Sequence, residues 1–257
     1  MIDSHCHLDE QNCRGGDPDT ILGRARAAGV DGFVVIGVGE ALSEAREAVE
    51  LAARYPDVWA TVGLHPHDAQ KLSDAMASEL KLLSERPRVV AIGEIGLDYH
   101  YDNSPRETQR EVFRRMIELG KQRKLPIVVH TREAAEDTLA ILEEEGAREV
   151  GGIIHCFSED LAFARRALDI DFDLSFSGIV TFKNARAVQE VAAWAPFDRV
   201  LIETDSPYLA PLPFRGRPCE PAMLVHTAAK VAALRGVSVE DVDRETVLNT
   251  KRRLRLS

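Results

Sequence analysis

Histidines and carboxylates recur in this chain where apolar, strand-like segments end. His5 and His7 form an H-x-H pair, and the two-residue period of a strand sends both imidazoles to one face while Cys6 points to the other. Five of the eight histidines fall at such segment ends, together with one glutamate and one aspartate. Imidazoles and carboxylates gathered in this way predict a catalytic metal site. The residues concerned are His5, His7, His65, Glu94, His130, His155 and Asp205.

The size of this set indicates how many ions it holds. One catalytic ion needs about three protein ligands plus water, so six ligands predict two divalent ions. The mixed donor types fit Mg, Mn or Zn without selecting one of them. The predicted metal ligands are His5, His7, Glu94, His130, His155 and Asp205.

Two of the ligands are also predicted to be catalytic. Glu94 can give one oxygen to each ion and so bridge them. Asp205 is expected both to bind metal and to accept the proton of an activated water as general base. The structural alternatives are a histidine satisfied by a core hydrogen bond and, for Asp205, a turn carboxylate before Pro207.

The elements that position these residues follow a repeating pattern. Eight apolar segments of strand length alternate with segments of helical period, which is typical of parallel βα units. We predict strands at residues 2–7, 32–38, 58–65, 89–95, 126–131, 152–157, 172–177 and 200–204. We predict helices at residues 21–28, 40–54, 69–85, 105–123, 133–145, 160–168, 185–194, 220–234 and 239–250. The chain is therefore predicted to be α/β, a single (β/α)8 TIM barrel over residues 1–257, somewhat distorted, with extra C-terminal helices.

Composition narrows the class of protein. Of 257 residues, 45% are hydrophobic and 29% are charged, as in folded globular proteins. Lys and Arg total 32 against 42 Asp and Glu, a formal charge of −10. This charge excludes a wholly basic surface, so a nucleic-acid partner requires a local cationic patch or metal ions.

Cysteine usage and apolar runs bear on the cellular setting. The four cysteines contain no C-x-x-C pair and are expected to be reduced thiols. The first residues do not resemble a signal peptide, and no apolar run reaches the length of a membrane span. We therefore expect a cytoplasmic protein with no membrane partner.

Six ordered motifs spread along the whole chain resemble those of TatD-type metal-dependent deoxyribonucleases, within the amidohydrolase-like barrel superfamily. They lie at residues 3–9 (DSHCHLD), 63–67 (GLHPH), 93–99 (GEIGLDY), 129–134 (VHTREA), 155–158 (HCFS) and 203–209 (ETDSPYL). The resemblance implies the same six metal ligands and hydrolysis of phosphodiester bonds in DNA, commonly from a 3′ end. The chain departs from the family pattern at Glu159, where glycine is usual, and at Cys219, where asparagine is frequent.

Further residues are candidates for binding the substrate. The resemblance suggests that His65 and His67 face the substrate, and the alternative is that either orients a carboxylate ligand. Four cations that follow strands are predicted to meet phosphate oxygens, the alternative being solvated surface charges. These cations are Arg132, Lys183, Arg215 and Arg217.

Two other groups have competing interpretations. Tyr99 and Tyr208 are candidates for stacking a terminal base, or else for packing. The basic run of residues 251–255 is interpreted as a solvated cap on the last helix.

The leading hypothesis is a hydrolase acting on ester bonds, a 3′–5′ exonuclease on single-stranded or frayed DNA ends, with RNA as a further substrate. It would work through a hydroxide activated by two metal ions, as a monomer. The alternative is a metal-dependent carboxylic ester or amide hydrolase such as an aminoacyl-tRNA deacylase. A third hypothesis is a metal-holding scaffold without enzymatic activity.

Overall fold

The computed structural model describes residues 1–10, 12–13, 16–39 and 42–256. Within these residues, eight parallel strands follow one another around a nearly closed barrel in the order β1 to β8. This confirms the predicted (β/α)8 barrel and places a strand at each of the eight predicted segments. The strands are β1 (Ile2–Cys6), β2 (Gly32–Gly37), β3 (Val58–Val62), β4 (Val89–Asp98), β5 (Ile127–Arg132), β6 (Gly152–Ile154), β7 (Phe172–Phe176) and β8 (Val200–Ile202).

Helices connect the strands on the outside of the barrel. The described residues form α1 (Pro18–Ala27), α2 (Ser43–Arg54), α3 (Asp74–Leu83), α4 (Arg106–Arg123), α5 (Ala135–Glu144), α6 (Leu161–Asp169), α7 (Arg186–Trp194), α8 (Leu224–Arg235) and α9 (Val239–Leu254). Short 3-10 helices lie at Pro66–Lys71, Ala147–Glu149, Gly178–Thr181, Phe197–Arg199 and Pro221–Met223. Of the two helices after β8, α8 completes the eighth βα unit and α9 is the one C-terminal addition, where the sequence predicted extra helices in the plural.

Four predicted helices begin three or more residues away from the observed ones: α1 begins earlier, at Pro18, and α2, α3 and α8 begin later, at Ser43, Asp74 and Leu224. The segment predicted as one helix at 69–85 is divided, because the Ser73 hydroxyl accepts a hydrogen bond from the Met76 amide at 3.2 Å and caps α3. The chain before this cap forms the 3-10 helix Pro66–Lys71. The predicted start of the second helix, Glu40, lies outside the described residues, and α2 begins at Ser43.

Strand alternation separates two apolar clusters. Phe33 and Val35 of β2 pack in the large cluster between barrel and helices, whereas Val34 and Ile36 belong to a smaller cluster inside the barrel. The interior cluster comprises Val34, Ile36, Trp59, Val90, Ala91, Val128, Ile153, Leu201 and Leu254. Following the same alternation toward the carboxyl ends of the strands leads to the predicted metal ligands.

The barrel closes at the junction of β1 and β8, which carries three predicted ligands. An isolated parallel bridge joins Cys6 to Ser206. The His7 amide donates to the Ser206 carbonyl, and the Asp205 amide donates to the His5 carbonyl, both at 2.9 Å. This closure therefore brings His5, His7 and Asp205 to one place, although they are about 200 residues apart in the chain.

Strand β4 is longer than predicted and carries an irregularity at the site. It continues to Asp98 rather than ending at residue 95, and its register against β5 shifts between Ile92 and Ile95. Gly96 has φ 142°, and a Cβ atom there would lie 2.0 Å from the His130 carbonyl oxygen. Only glycine fits this close approach of two strands.

The C-terminal basic run is not a solvated cap throughout, which corrects the interpretation made from the sequence. The Arg253 side chain is only 6% exposed and binds Asp171 and Asp173 through four hydrogen bonds of 2.8–3.0 Å. Arg252, which is 47% exposed, also contacts Asp173. The end of α9 is therefore fixed to β7, and Leu254 enters the interior cluster.

Among the described residues, no single helix is long and apolar enough to cross a membrane. The segment Pro221–Arg235 and α9 meet the criteria of length and composition only as a pair, bent by 107°.

Candidate metal centre

The first part of the centre lies at the junction of β1 and β8. His5 Nε2 and His7 Nε2 each lie 3.6 Å from Asp205 Oδ1. His5 is buried, whereas the Asp205 side chain keeps a small accessible area. These three residues offer donor atoms close enough to one another to hold one cation.

The second part lies on β4 and β5 and on the segment after β3, where His65 precedes the 3-10 helix Pro66–Lys71. Glu94 Oε1 is 2.9 Å from His130 Nδ1 and 3.5 Å from His65 Nε2. His155 Nε2, from the end of β6, lies 2.7 Å from the same oxygen. A second cation would find its donors here, in His65, Glu94 and His130.

Glu94 is the residue shared by the two parts. Its Oε2 atom lies 3.4 Å from His5 Nε2, whereas Oε1 faces His65, His130 and His155. One carboxylate oxygen is thus directed toward each group, which is what a carboxylate bridging two ions requires. The structure brings all six predicted ligands together and adds His65 to them.

Unpartnered buried atoms test whether this donor set fits a metal. Neither ring nitrogen of His5 has a hydrogen-bond partner, and neither does Glu203 Oε2. Buried polar groups are normally hydrogen-bonded, and each orphan needs an explanation. His5, His155 and Glu203 form a further group of converging donors, so bound cations would satisfy these atoms. The residues present therefore fit divalent ions.

The electrostatics of the centre also favour cations. Burial would raise the pKa of Glu94, but the imidazoles of His155, His65 and His130 hold it well below the usual range. The pKa of Asp205 is likewise lowered against the effect of burial by His7 and His5. Burial lowers the pKa of His65 to about 4, so this ring is neutral at neutral pH and has a lone pair to offer.

Two acidic residues of the centre escaped the sequence analysis. Asp98 Oδ2 lies 2.9 Å from His67 Nε2 and 3.2 Å from His130 Nε2. Glu203 Oε1 accepts a hydrogen bond from the Cys156 amide at 2.6 Å and lies 3.3 Å from His155 Nδ1. Strand alternation was the signal that could have found both.

Side chains alternate between the two faces of a strand, so residues two or four apart share a face. Asp98 stands two alternations after Glu94, and Glu203 stands one before Asp205, so each shares the inward face with a predicted ligand. Both acids contact histidines of the centre and therefore fix the orientation of the rings.

The predicted substrate-binding residues divide into two sets. His65 lies within a donor group and His67 is held by Asp98, so both are part of the histidine cluster. The four cations are exposed, one at the end of β5 and the others on the segments after β7 and β8. Among the described residues, no acidic side chain forms an ion pair with them. They are Arg132, Lys183, Arg215 and Arg217. Contact with substrate stays a prediction for all six.

The tyrosine candidates are not equivalent. The Tyr99 hydroxyl donates to Asp137 at 2.6 Å, and the Arg106 guanidinium lies 4.4 Å from the Tyr99 ring centroid. Because its hydroxyl and its ring are already engaged, Tyr99 is not available to stack on a base. Tyr208 is 47% exposed, and its ring meets the edge of His7 at a centroid distance of 6.0 Å.

The two departures from the family pattern lie close to the centre. Glu159 is half-buried on the loop after β6, and burial raises the pKa of its carboxyl, with a further contribution from Asp160. Cys219 is buried, with its sulfur 3.9 Å from the Thr204 carbonyl oxygen.

Comparison with known proteins agrees with this geometry. A family of TatD related DNases matches residues 2–255. The uncharacterized metal-dependent hydrolase YabD of Bacillus subtilis (strain 168) is 42% identical over 257 residues, covering 100% of both chains. A protein of Klebsiella pneumoniae (strain 342) named 3′-5′ ssDNA/RNA exonuclease TatD is 33% identical, covering 91% of this chain and 90% of its own.

A solved structure gives the same result for the fold. The crystal structure of YjjV, a TatD homologue from Escherichia coli K12, superposes with a TM-score of 0.93 at 28% identity, over 100% of this chain and 98% of its own. The match extends from the first strand to the last helix and includes every motif that carries the donor atoms. The chain therefore belongs to the TatD family of metal-dependent hydrolases.

Proposed function

We propose that this hydrolase is a 3′–5′ exonuclease that acts on single-stranded or frayed DNA ends, with RNA as a further substrate, and uses two divalent ions. The observation that carries the proposal is the position of Glu94, whose two oxygens face two separate groups of donor atoms. The name of the Klebsiella relative supports the choice of substrate. Mg, Mn and Zn all suit the donors.

The chain's own residues have distinct roles in this proposal. When bound, divalent ions supply Lewis acidity that polarises a phosphodiester and activates water. Glu94 would hold both ions, since one of its oxygens faces each group of donor atoms. Asp205 is ionised and partly accessible at the mouth, so its carboxylate accepts the proton of the attacking water.

Charge at the mouth explains how an acidic protein binds a polyanion. The chain carries a formal charge of −10, yet four exposed cations without acidic partners in the described residues lie at the end of β5 and on the segments after β7 and β8. Their guanidinium and ammonium groups are suited to phosphate oxygens. The cations are Arg132, Lys183, Arg215 and Arg217. Because the donor atoms lie inside the barrel mouth, a single-stranded end reaches them more easily than a duplex does.

The test uses single-stranded oligonucleotides labelled at the 3′ or the 5′ end. Metal-stripped protein is assayed with Mg or Mn added back, for the wild type, Asp205→Asn and Asp31→Asn. Asp31 precedes β2 at the opposite end of the barrel and is the matched control. We expect metal-dependent release of nucleotides from the 3′ end, lost about 10²–10⁴-fold in Asp205→Asn and unchanged in Asp31→Asn.

Other outcomes would contradict the proposal. Release from the 5′ end would overturn the polarity. No cleavage with any metal, combined with hydrolysis of a carboxylic ester such as an aminoacyl-tRNA, would identify the alternative hydrolase instead. A fully active Asp205→Asn protein would remove Asp205 from the reaction.

A further inference from the structure

Tyr101 is a large aromatic residue left open beside the metal centre. It lies on the loop after β4 and is 55% exposed. The Arg132 guanidinium carbon lies 4.8 Å from its ring centroid, in cation–π geometry. His67 and His100 make edge contacts with the ring at centroid distances of 5.4 and 4.9 Å.

The ring is held in place by the same carboxylate that orients the histidines. Asp98 Oδ1 accepts the Tyr101 amide at 2.9 Å, while Oδ2 contacts His67 and His130. His130 in turn lies 2.9 Å from Glu94. Tyr101 is therefore positioned relative to the donor atoms by a continuous set of short contacts, not by loop packing alone.

Most of the other tyrosines are not available in this way. Tyr99 is covered by Arg106 and bound through its hydroxyl to Asp137. Tyr55 follows α2 at the opposite end of the barrel, where Arg26 and Arg54 lie near its ring at 5.6 and 5.1 Å. Tyr101 thus combines an open ring, an adjacent cation that forms no ion pair with the residues the structure describes, and a connection to the metal centre.

We propose that Tyr101 and Arg132 form a stacking platform for one of the two bases that flank the scissile phosphodiester, an inference that rests on the proposed function. An aromatic ring and a planar guanidinium both stack on nucleobases, and every base presents a π-face, so such a platform accepts any sequence. A base in a duplex is already stacked on its neighbours. The platform therefore selects unpaired ends.

In this platform, the charge of Arg132 stays available to bind a phosphate oxygen. Its guanidinium has five N–H donors, and none of them donates a hydrogen bond to a described residue while its carbon lies 4.8 Å from the Tyr101 ring centroid. A phosphate oxygen and a base can thus be bound by neighbouring atoms of the same pair. This arrangement would fix a strand by one base and one phosphate next to the bond that is cleaved.

The experiment measures binding of a single-stranded DNA oligonucleotide with the fluorescent base 2-aminopurine at the last or the penultimate 3′ position. It is carried out with Mn in the Asp205→Asn background, in which cleavage is expected to be too slow to consume the oligonucleotide during the measurement. The variants are Tyr101→Leu, which removes the ring, Tyr101→Phe, which keeps it, and Tyr55→Leu as matched control. An oligonucleotide lacking both terminal bases serves as the second probe, and thermal melting verifies folding.

We expect wild-type Tyr101 to quench the 2-aminopurine fluorescence at one of the two positions. Tyr101→Leu should lose the quenching and bind about 5–150-fold more weakly, the equivalent of about 1–3 kcal/mol for one stacked base. Tyr101→Phe should stay within about twofold of the starting protein, since the ring carries the effect. Tyr55→Leu should be unchanged, and all variants should bind the abasic oligonucleotide equally.

Three results would overturn the platform. These are unchanged quenching in Tyr101→Leu, an equal loss of affinity for the abasic probe, and binding without quenching at either position. Failure of the proposed function is read separately, because a wild-type protein that cleaves no oligonucleotide refutes the exonuclease whatever the binding assay gives. An oligonucleotide that does not bind at all refutes both.

Discussion

At the scale of single residues, the centre depends on carboxylates that do not themselves belong to the predicted ligand set. Asp98 is buried and contacts His67 and His130 with one oxygen while accepting backbone amides with the other. Burial would raise the pKa of Asp98, but hydrogen bonds from His130, Tyr101 and His67 hold it below its usual range. An ionised carboxylate in this position fixes which ring nitrogen of each histidine carries a proton.

Replacing Asp98 with asparagine tests this role. Asp98→Asn keeps the size of the side chain but removes the charge that orients His67 and His130. We expect the affinity for Mn to fall about 10–100-fold, measured by titration calorimetry, with little change in the melting temperature of the metal-free protein.

Asp102→Asn is the matched control. Asp102 lies four residues further along and forms an exposed ion pair with Arg106. Its replacement should leave the affinity for Mn unchanged. Equal affinities for Mn in Asp98→Asn and the wild type would show that His130 is oriented by other contacts.

At the scale of elements, strand β4 decides where the acidic residues of the centre lie. The register shift against β5 occurs around Glu94, and Gly96 permits the backbones of β4 and β5 to approach closely. An irregularity of this kind redirects side chains and is common next to active sites. The position of Glu94 between two groups of histidines therefore depends on Gly96 two residues later.

Gly96→Ala is predicted to disrupt this strand and the centre together. The new Cβ would lie 2.0 Å from the His130 carbonyl oxygen, at φ 142°, where side chains are rarely tolerated. We expect a loss of about 3 kcal/mol or more in the free energy of unfolding, from clash and strain combined, together with loss of metal binding. Chemical denaturation measures the first effect and a Mn titration the second.

Gly146→Ala separates the two causes. Gly146 has φ 62°, but an added Cβ there would meet nothing within 4 Å. The free energy of unfolding of Gly146→Ala should fall by only about 1–2 kcal/mol, the cost of a left-handed backbone conformation for an alanine. The variant should still bind Mn. Equal losses of stability in the two variants would mean that the contact with His130 is relieved by a shift of the strand.

The sequence predicted the strands well because each is a short local pattern. All eight predicted strands are present, and the positions of His5, His130 and His155 at their ends followed from the same pattern. The features that the sequence did not predict depend on pairing between distant segments of the chain. The register shift in β4 arises from contact with β5, and the pairing of Arg253 with β7 joins residues 80 apart in the chain.

The pairing of α9 with β7 makes a second prediction about elements. Arg253 holds the pKa of Asp171 below its usual range through direct hydrogen bonds. In Arg253→Met, Asp173 would lose two hydrogen bonds in a fully buried position. Because Arg199 and Arg252 still contact Asp173, we expect the free energy of unfolding at pH 7 to fall by about 1.5–3 kcal/mol, the cost of losing hydrogen bonds to a charged group.

The pH dependence of this effect has a defined sign. Because the folded pKa of Asp171 is lowered, the stabilisation is present above the usual aspartate pKa of about 4 and is lost as pH falls further. The difference between wild type and Arg253→Met should therefore narrow from pH 7 to about pH 3. Arg252→Met removes a half-exposed partner of Asp173. Its free energy of unfolding should fall by less than about 1 kcal/mol. A difference that stays constant with pH would assign the effect to packing.

At the scale of the whole molecule, the distribution of charge matters more than its sum. The formal charge of −10 opposes the approach of a polyanion, whereas cations that form no ion pair with a described residue are found at the end of β5 and on the segments after β7 and β8. The Arg215 guanidinium carbon also lies 4.5 Å from the Phe182 ring centroid, which holds this cation against the segment after β7. Local contacts with phosphates therefore have to overcome a long-range repulsion, and salt affects the two in opposite directions.

The balance is measurable as the slope of the logarithm of affinity against the logarithm of salt concentration, from about 50 to about 200 mM. Each phosphate contact on a single strand contributes about −0.7 to this slope. Lys183→Gln and Arg215→Gln should each make the slope about 0.7 less negative and weaken binding equally for all sequences. Arg148→Gln changes the same charge on the opposite face, before β6, and should leave the slope unaltered. If all three variants shift the slope alike, binding responds to the net charge of the protein. Lys183 and Arg215 then make no specific contact with the phosphates of the strand.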